Sequence, residues 1–228
     1  MNKEELESRL NSVKNDLNGA VLVAVSKYSP VEDVALAYSL GQLDFGENRV
    51  SELTTKAGSF QFNQRQNVRW HFIGTLQTNK VKELLKIPNL WAIHSVSSKK
   101  LLEEIIRREA EITEPELNLF FQLNTSKEEE KSGFDTVEEI AEAIELLHAK
   151  KKSNLVCYGL MTMGSIREEN FEEAARKSFK ELKAARDYLA DKFSLPNLKL
   201  SMGMSQDYKI ALEEGADFIR VGSLIFKE

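Results

Sequence analysis

Apolar and polar positions along the chain switch repeatedly between a helical period and short continuous runs. Leu6, Leu10, Val13 and Leu17 recur at helical spacing and mark a first amphipathic helix. The run Val21-Leu22-Val23-Ala24-Val25-Ser26-Lys27 is almost wholly apolar until its last two residues, the pattern of a buried strand. Ser29-Pro30-Val31-Glu32 reads as a helix start, with Ser29 as cap, Pro30 at the first helical position and Gly41 as the stop. The same alternation then repeats. A second strand spans Leu43 to Gly46 and leads to a helix near Glu47; a third spans Arg69 to Ile73, ends at Gly74 and leads to a helix near Thr78. A fourth, Leu90 to Val96, precedes a helix from about Ser98 to Glu111, and the fifth, Leu117 to Leu123, is an apolar run broken only by Asn118 and Gln122. Thr136 and Glu139 start a helix whose buried stripe is Val137, Ile140, Ile144 and Leu147. The sixth strand, Leu155 to Met161, precedes a long helix carrying Phe171, Ala175, Phe179, Leu182 and Leu189. A short seventh, Leu198 to Met202, precedes a helix from Ser205 to Glu214 that Gly215 stops, and the eighth is Ala216 to Val221.

Eight strands, each followed by a helical segment, predict a single-domain (β/α)₈ barrel. An open doubly wound sheet is the main alternative and would carry fewer strands in this length. No internal repeat or low-complexity tract divides the chain, and the charged loop Thr125 to Phe134 is too short to separate domains. One domain spanning 1–228 is expected.

Composition narrows the function classes. The chain has 228 residues, 42% hydrophobic and 29% charged, an ordinary globular mix able to bury a large core. Acidic side chains outnumber basic ones, 36 to 31, for a net charge of −5, and no basic stretch carries interleaved aromatics. That argues against a nucleic-acid surface. No segment has the length of a membrane span, and the charged, helical Met1 to Leu17 is unlike a signal peptide. The only cysteine, Cys157, lies in an apolar run and fits a buried structural thiol in a reducing compartment; a cytoplasmic protein is expected. His71, His94 and His148 have no metal-binding spacing, so no metal site is expected.

Barrel enzymes gather their working groups at the C-terminal ends of the strands, with phosphate sites near strands 7 and 8. The first such end here is Lys27. Pleat parity places Val21, Val23, Val25 and Lys27 on one side, so the lysine shares the barrel-lining face. A lysine buried there loses part of its proton affinity, and a neutral amine forms a Schiff base with an aldehyde; alternatively the side chain snorkels into water. Ser205, opening a helix, makes an anion site with the free N–H groups behind it. Gly203 and Gly222 allow close backbone approach, so these strand ends form a cradle for one phosphate. Arg220 shares parity with Phe218 and Gly222 inside an apolar strand, and so requires either a carboxylate on a neighbouring strand or a ligand. His71 reads as a satisfied core histidine. Glu47 and Asn48 either orient a ligand or cap the second helix, and Met161 and Met163 pack beneath the site.

The set VAVSK (23–27), FGEN (45–48), HFIGTLQTNK (71–80), KSGF (131–134), GLMTM (159–163), SMGMSQD (201–207) and RVGSLIF (220–226) resembles the pyridoxal phosphate homeostasis proteins, also called proline synthase co-transcribed homologues. The resemblance runs in order from the first strand to the C-terminus. It implies a barrel similar to the N-terminal domain of alanine racemase, with pyridoxal 5′-phosphate as cofactor. It further implies that Lys27 forms the internal aldimine and that Ser205, Gly222 and Ser223 bind the phosphate. Arg220 would face the pyridine nitrogen, while Asn48, Ile73 and Met204 line the ring. One departure is visible: many members follow GLMTM with a small residue and proline, where this chain has Gly164-Ser165.

An arginine at the pyridine nitrogen disfavours protonating it, which weakens the ring as an electron sink. In alanine racemase a tyrosine from an additional β-domain of the partner subunit supplies the second base, whereas this chain stops just past its eighth strand. The expectation is a cofactor holder with little or no catalysis, a monomer that passes pyridoxal 5′-phosphate to apo-enzymes. A PLP-dependent amino-acid racemase is the alternative, with Tyr28 or His71 as second base. A cofactor-free regulatory barrel for another phosphate ligand is a third possibility.

Overall fold

The β-branched and aliphatic run after the first helix forms a strand because it is covered on both faces. In the computed structural model this strand, β1 (Val21–Val25), pairs in parallel with both β2 (Asp44–Glu47) and β8 (Phe218–Val221). The remaining strands are β3 (Arg69–Phe72), β4 (Leu90–Val96), β5 (Leu117–Gln122), β6 (Leu155–Met161) and β7 (Lys199–Ser201). Together they close into a barrel in sequence order, β1 to β8. The structure describes residues 1–59, 62, 67–125, 132–150, 153–164 and 170–226. Residues 126–131 of the Thr125 to Phe134 loop, and Ser165 of the sixth loop, lie outside the described residues.

The helices are α1 (Lys3–Lys14), α2 (Val31–Ser39), α3 (Val50–Ala57), α4 (Val81–Leu85), α5 (Lys99–Arg107), α6 (Val137–His148), α7 (Phe171–Phe193), α8 (Tyr208–Glu213) and α9 (Ser223–Phe226). Several starts differ from expectation. Helix α2 begins at Val31 with Pro30 in extended conformation before it, and Ser29 makes no cap; its N–H instead donates to Ser26 O within the turn after β1. Glu47 remains in β2, and α3 begins only at Val50 after an extended Arg49, so neither Glu47 nor Asn48 caps it. Thr136 does cap α6, accepting from the Glu139 N–H.

Pleat alternation divides each strand between two cores. Leu22 and Ala24 face outward into the large shell between barrel and helices, whereas Val23 joins Ala92, Phe120, Met161 and Phe218 inside the barrel. The interior also holds a line of buried polar side chains, among them His71, His94, Ser201 and Arg220. Glycine 159 is required where β6 crosses β7, since a Cβ there would lie 2.1 Å from Lys199 O.

Candidate functional site

Lys27 emerges two residues beyond β1 and is exposed, so the snorkelling alternative describes its side chain and the expected burial does not. What is buried is its support. Ser26, fully buried, donates its hydroxyl to Glu47 Oε1 at 2.7 Å. Lys56 Nζ donates to the same oxygen at 2.6 Å and to Ser26 O at 2.7 Å. An ion pair from β2 and α3, both partners nearly excluded from water, thus clamps the residue before Lys27. On the other side Tyr28 holds a left-handed φ of 68°, a conformation that costs a non-glycine residue roughly 1 kcal/mol or more. The Lys27 Nζ lies 5.9 Å from the Tyr28 ring centroid.

Across the barrel mouth, Gly203 adopts φ +90° at the end of β7 and passes into the turn Met204 to Asp207. Ser205 sits in that turn, three residues before α8, and does not open the helix as expected; Asp207 precedes α8 and its Oδ1 accepts from the Met204 N–H at 2.5 Å. The Ser205 hydroxyl oxygen instead accepts from the Gly222 N–H at 3.3 Å, which ties the ends of β7 and β8 together. A Cβ on Gly222 would lie 3.0 Å from Val25 O, and Ser223 opens the short α9 with its N–H outside helical bonding.

Arg220, 4% exposed, forms no hydrogen bond to a strand carboxylate. Its Nη1 donates to Ser201 Oγ at 2.7 Å and its Nη2 to Thr162 O at 2.8 Å. Burial brings its pKa down to about 10, against the opposing charge of Asp207. Burial also raises the Asp207 carboxyl above the ordinary carboxylate value, with the Met204 N–H and the Arg220 charge acting against it.

All eight residues singled out in the sequence, Lys27, Asn48, Ile73, Met204, Ser205, Arg220, Gly222 and Ser223, line one cavity of about 530 Å³. Asp207, Phe171 and Thr75 line it too, without having been identified as site residues. Asp207 carried a signal, an acid two positions after Ser205 at a strand end; Phe171 carried none beyond its place in a helical stripe. His71 is fully buried in the barrel interior and bonded to Asp44 and His94, so it is removed as a second base. Tyr28 lines an adjoining cavity of about 340 Å³ that also borders Lys27. Cys157 is half-buried, and desolvation pushes its thiol up to about 12. Among the described residues no cluster of His, Cys, Asp or Glu could hold a metal ion, and no helix is long and apolar enough to cross a membrane.

The position of Asn48 depends on Gly74. A Cβ at Gly74 would fall 2.0 Å from Asn48 O, a backbone atom that cannot move alone. Gly74→Ala is expected to lower stability by about 1–3 kcal/mol through overpacking and to displace Asn48 from the cavity wall. Denaturant unfolding measures the first effect and ligand affinity the second.

A closed parallel barrel of eight strands, with Lys27 just past the first strand and Gly222 and Ser223 just past the eighth lining one cavity, defines a class of fold. Residues 1–228 match the family described as "Alanine racemase, N-terminal domain". Within that class, the chain belongs to the pyridoxal phosphate homeostasis protein family. It is 37% identical to the family member of Schizosaccharomyces pombe over 97% of this chain and 89% of that protein. It is 40% identical to that of Homo sapiens over 91% of this chain and 76% of that protein. PipY of Synechococcus elongatus, solved with PLP bound, superposes with a TM-score of 0.81 at 30% identity, covering 97% of this chain and 99% of that one. Alanine racemase from E. faecalis shares the fold at a TM-score of 0.71 and 17% identity, over 97% of this chain and 57% of that one.

Proposed function

We propose that the chain binds pyridoxal 5′-phosphate at this cavity through Lys27 and acts in cytoplasmic homeostasis of that cofactor, as a carrier and buffer with little or no catalysis. The observation that carries the reading is the convergence of Lys27, Arg220 and the Ser205, Gly222 and Ser223 cradle on one cavity. The residues present fit the group: the cradle offers a hydroxyl and backbone N–H donors, and Gly222 leaves no side chain in the way. When bound, the cofactor supplies an aldehyde carbon that condenses with a primary amine, releasing one water. Lys27 supplies that amine from an exposed side chain, which keeps the bond reachable by water and by competing amines. Arg220 offers only donors to the ring nitrogen, and its positive charge opposes a proton there, so carbanion chemistry is disfavoured. Asn48, Ile73 and Met204 form the walls for the ring. On this reading a monomer delivers the cofactor to apo-enzymes.

Borohydride reduction of the loaded protein followed by mass spectrometry is expected to place the adduct on Lys27 alone. An adduct on another lysine, or one surviving Lys27→Ala, overturns the assignment. The same loaded protein should exchange the α-proton of amino acids slowly; rapid, Lys27-dependent exchange with deuterium would show a racemase instead.

A further inference from the structure

Inside the barrel, beneath the cavity, a single line of hydrogen bonds joins Arg220 to the opposite end of the barrel. Arg220 Nη1 lies 2.7 Å from Ser201 Oγ, and Ser201 Oγ lies 2.8 Å from His94 Nδ1. His94 Nε2 lies 2.9 Å from His71 Nδ1, and His71 Nε2 lies 2.9 Å from Asp44 Oδ1. Asp44 Oδ2 accepts from Arg69 Nη2 at 2.5 Å at the start of β3. Both imidazoles and Ser201 are fully buried.

With both imidazoles neutral, the chemistry of the two ends allows one arrangement of protons. A guanidinium has no acceptor, so Ser201 Oγ accepts from Arg220 and its own proton goes to His94 Nδ1. His94 must then carry its proton on Nε2 and donate to His71 Nδ1. His71 in turn carries its proton on Nε2 and donates to the Asp44 carboxylate. Every donor finds one acceptor, both histidines are neutral, and the aligned dipoles run from a cation at one end to an anion at the other. Burial lowers both histidine pKa values, most strongly that of His94. Burial raises the Asp44 carboxyl, but the His71 and Arg69 contacts outweigh it and hold it below the ordinary value.

We infer that Ser201, His94, His71 and Asp44 are positioning residues that fix the Arg220 guanidinium in the cavity through a chain of hydrogen bonds of one fixed sense, anchored at the far end of the barrel. The inference rests on the proposed reading only where it concerns the cofactor. Thr162 completes the clamp, since its carbonyl takes the other Arg220 nitrogen while its hydroxyl is bound to Leu123 O at 3.0 Å. Asp44 does not line the cavity, so its contribution to binding passes through the chain.

Long-range proton–nitrogen spectra of the ¹⁵N-labelled full chain, without cofactor and near neutral pH, test the sense directly. His71 and His94 should both be neutral with the proton on Nε2. An imidazolium, or a proton on Nδ1 of either ring, overturns the inference without any substitution. Asp44→Asn then offers one oxygen where two donors need two, and pyridoxal 5′-phosphate affinity should fall about three- to tenfold. A folded D44N protein with unchanged affinity also overturns it. Failure of the unsubstituted chain to take up pyridoxal 5′-phosphate sinks the proposed function, while the tautomers still decide the chain of hydrogen bonds.

Discussion

Lys27→Ala protein folds as before but takes up pyridoxal 5′-phosphate at least ~10-fold more weakly, equivalent to about 1.4 kcal/mol, and shows no adduct after reduction. Two separate facts make both halves of this result expected. The Lys27 side chain is exposed, so its removal opens no cavity and should alter stability by no more than about 0.5 kcal/mol. Lys56, close in the structure, cannot substitute, because it is buried and already donates to Ser26 O and Glu47 Oε1. Visible absorbance titration measures the affinity and urea unfolding measures the stability. Retained affinity in the folded variant would mean that the phosphate cradle and Arg220 hold the cofactor and that the lysine is incidental.

The second large effect is on stability and comes from behind the site. Lys56→Met strands Glu47, which is fully buried and whose Oε2 has no hydrogen-bond partner among the described residues. Losing one partner of such a pair costs about 3–5 kcal/mol, because the remaining charge stays dehydrated. Lys56→Met combined with Glu47→Leu should recover part of that loss, since removing both charges removes the dehydration cost. Urea unfolding of the two single variants and the double variant reads the coupling. Simple additivity would show that the pair contributes nothing jointly. The single variant also leaves Ser26 O with the Ser29 N–H as its remaining donor, so it should weaken cofactor affinity by loosening the turn that carries Lys27.

Strands were easier to read than helix starts, and the reason is physical. A parallel barrel strand is covered on both faces, so Leu117 to Gln122 announces itself by composition alone. Helix starts depend on where the backbone turns. Ser29-Pro30 has the residues of a capped start, yet the Ser29 N–H is taken by Ser26 O in the turn after β1 and the helix begins one residue later. Ser205 misled in the same way: the hydroxyl read as a helix cap belongs to a turn and binds the neighbouring strand end. The site's outline was legible because strand-end positions in a barrel converge by topology, which brings residue 27 beside residues 220 to 223. The supporting groups were not. Nothing local links Lys56 to Ser26, thirty positions away, or aligns His71, His94 and Ser201 from three different strands.

The pairing of β1 with β8, in which Val21 meets Phe218 and Val23 meets Arg220, has a consequence for the timing of synthesis. Lys27 follows the first strand and Gly222 and Ser223 follow the last, so the proposed binding site lies at the seam of the barrel and exists only once that seam is sewn. Contacts across nearly the whole sequence form late and slowly compared with neighbouring βα units. A nascent chain stalled before β8 can hold most of its strands and still be blind to the ligand. Once the last strand docks, ligand that bridges the two edges acts as a rivet on closure, so fraying of the seam should slow as free ligand rises.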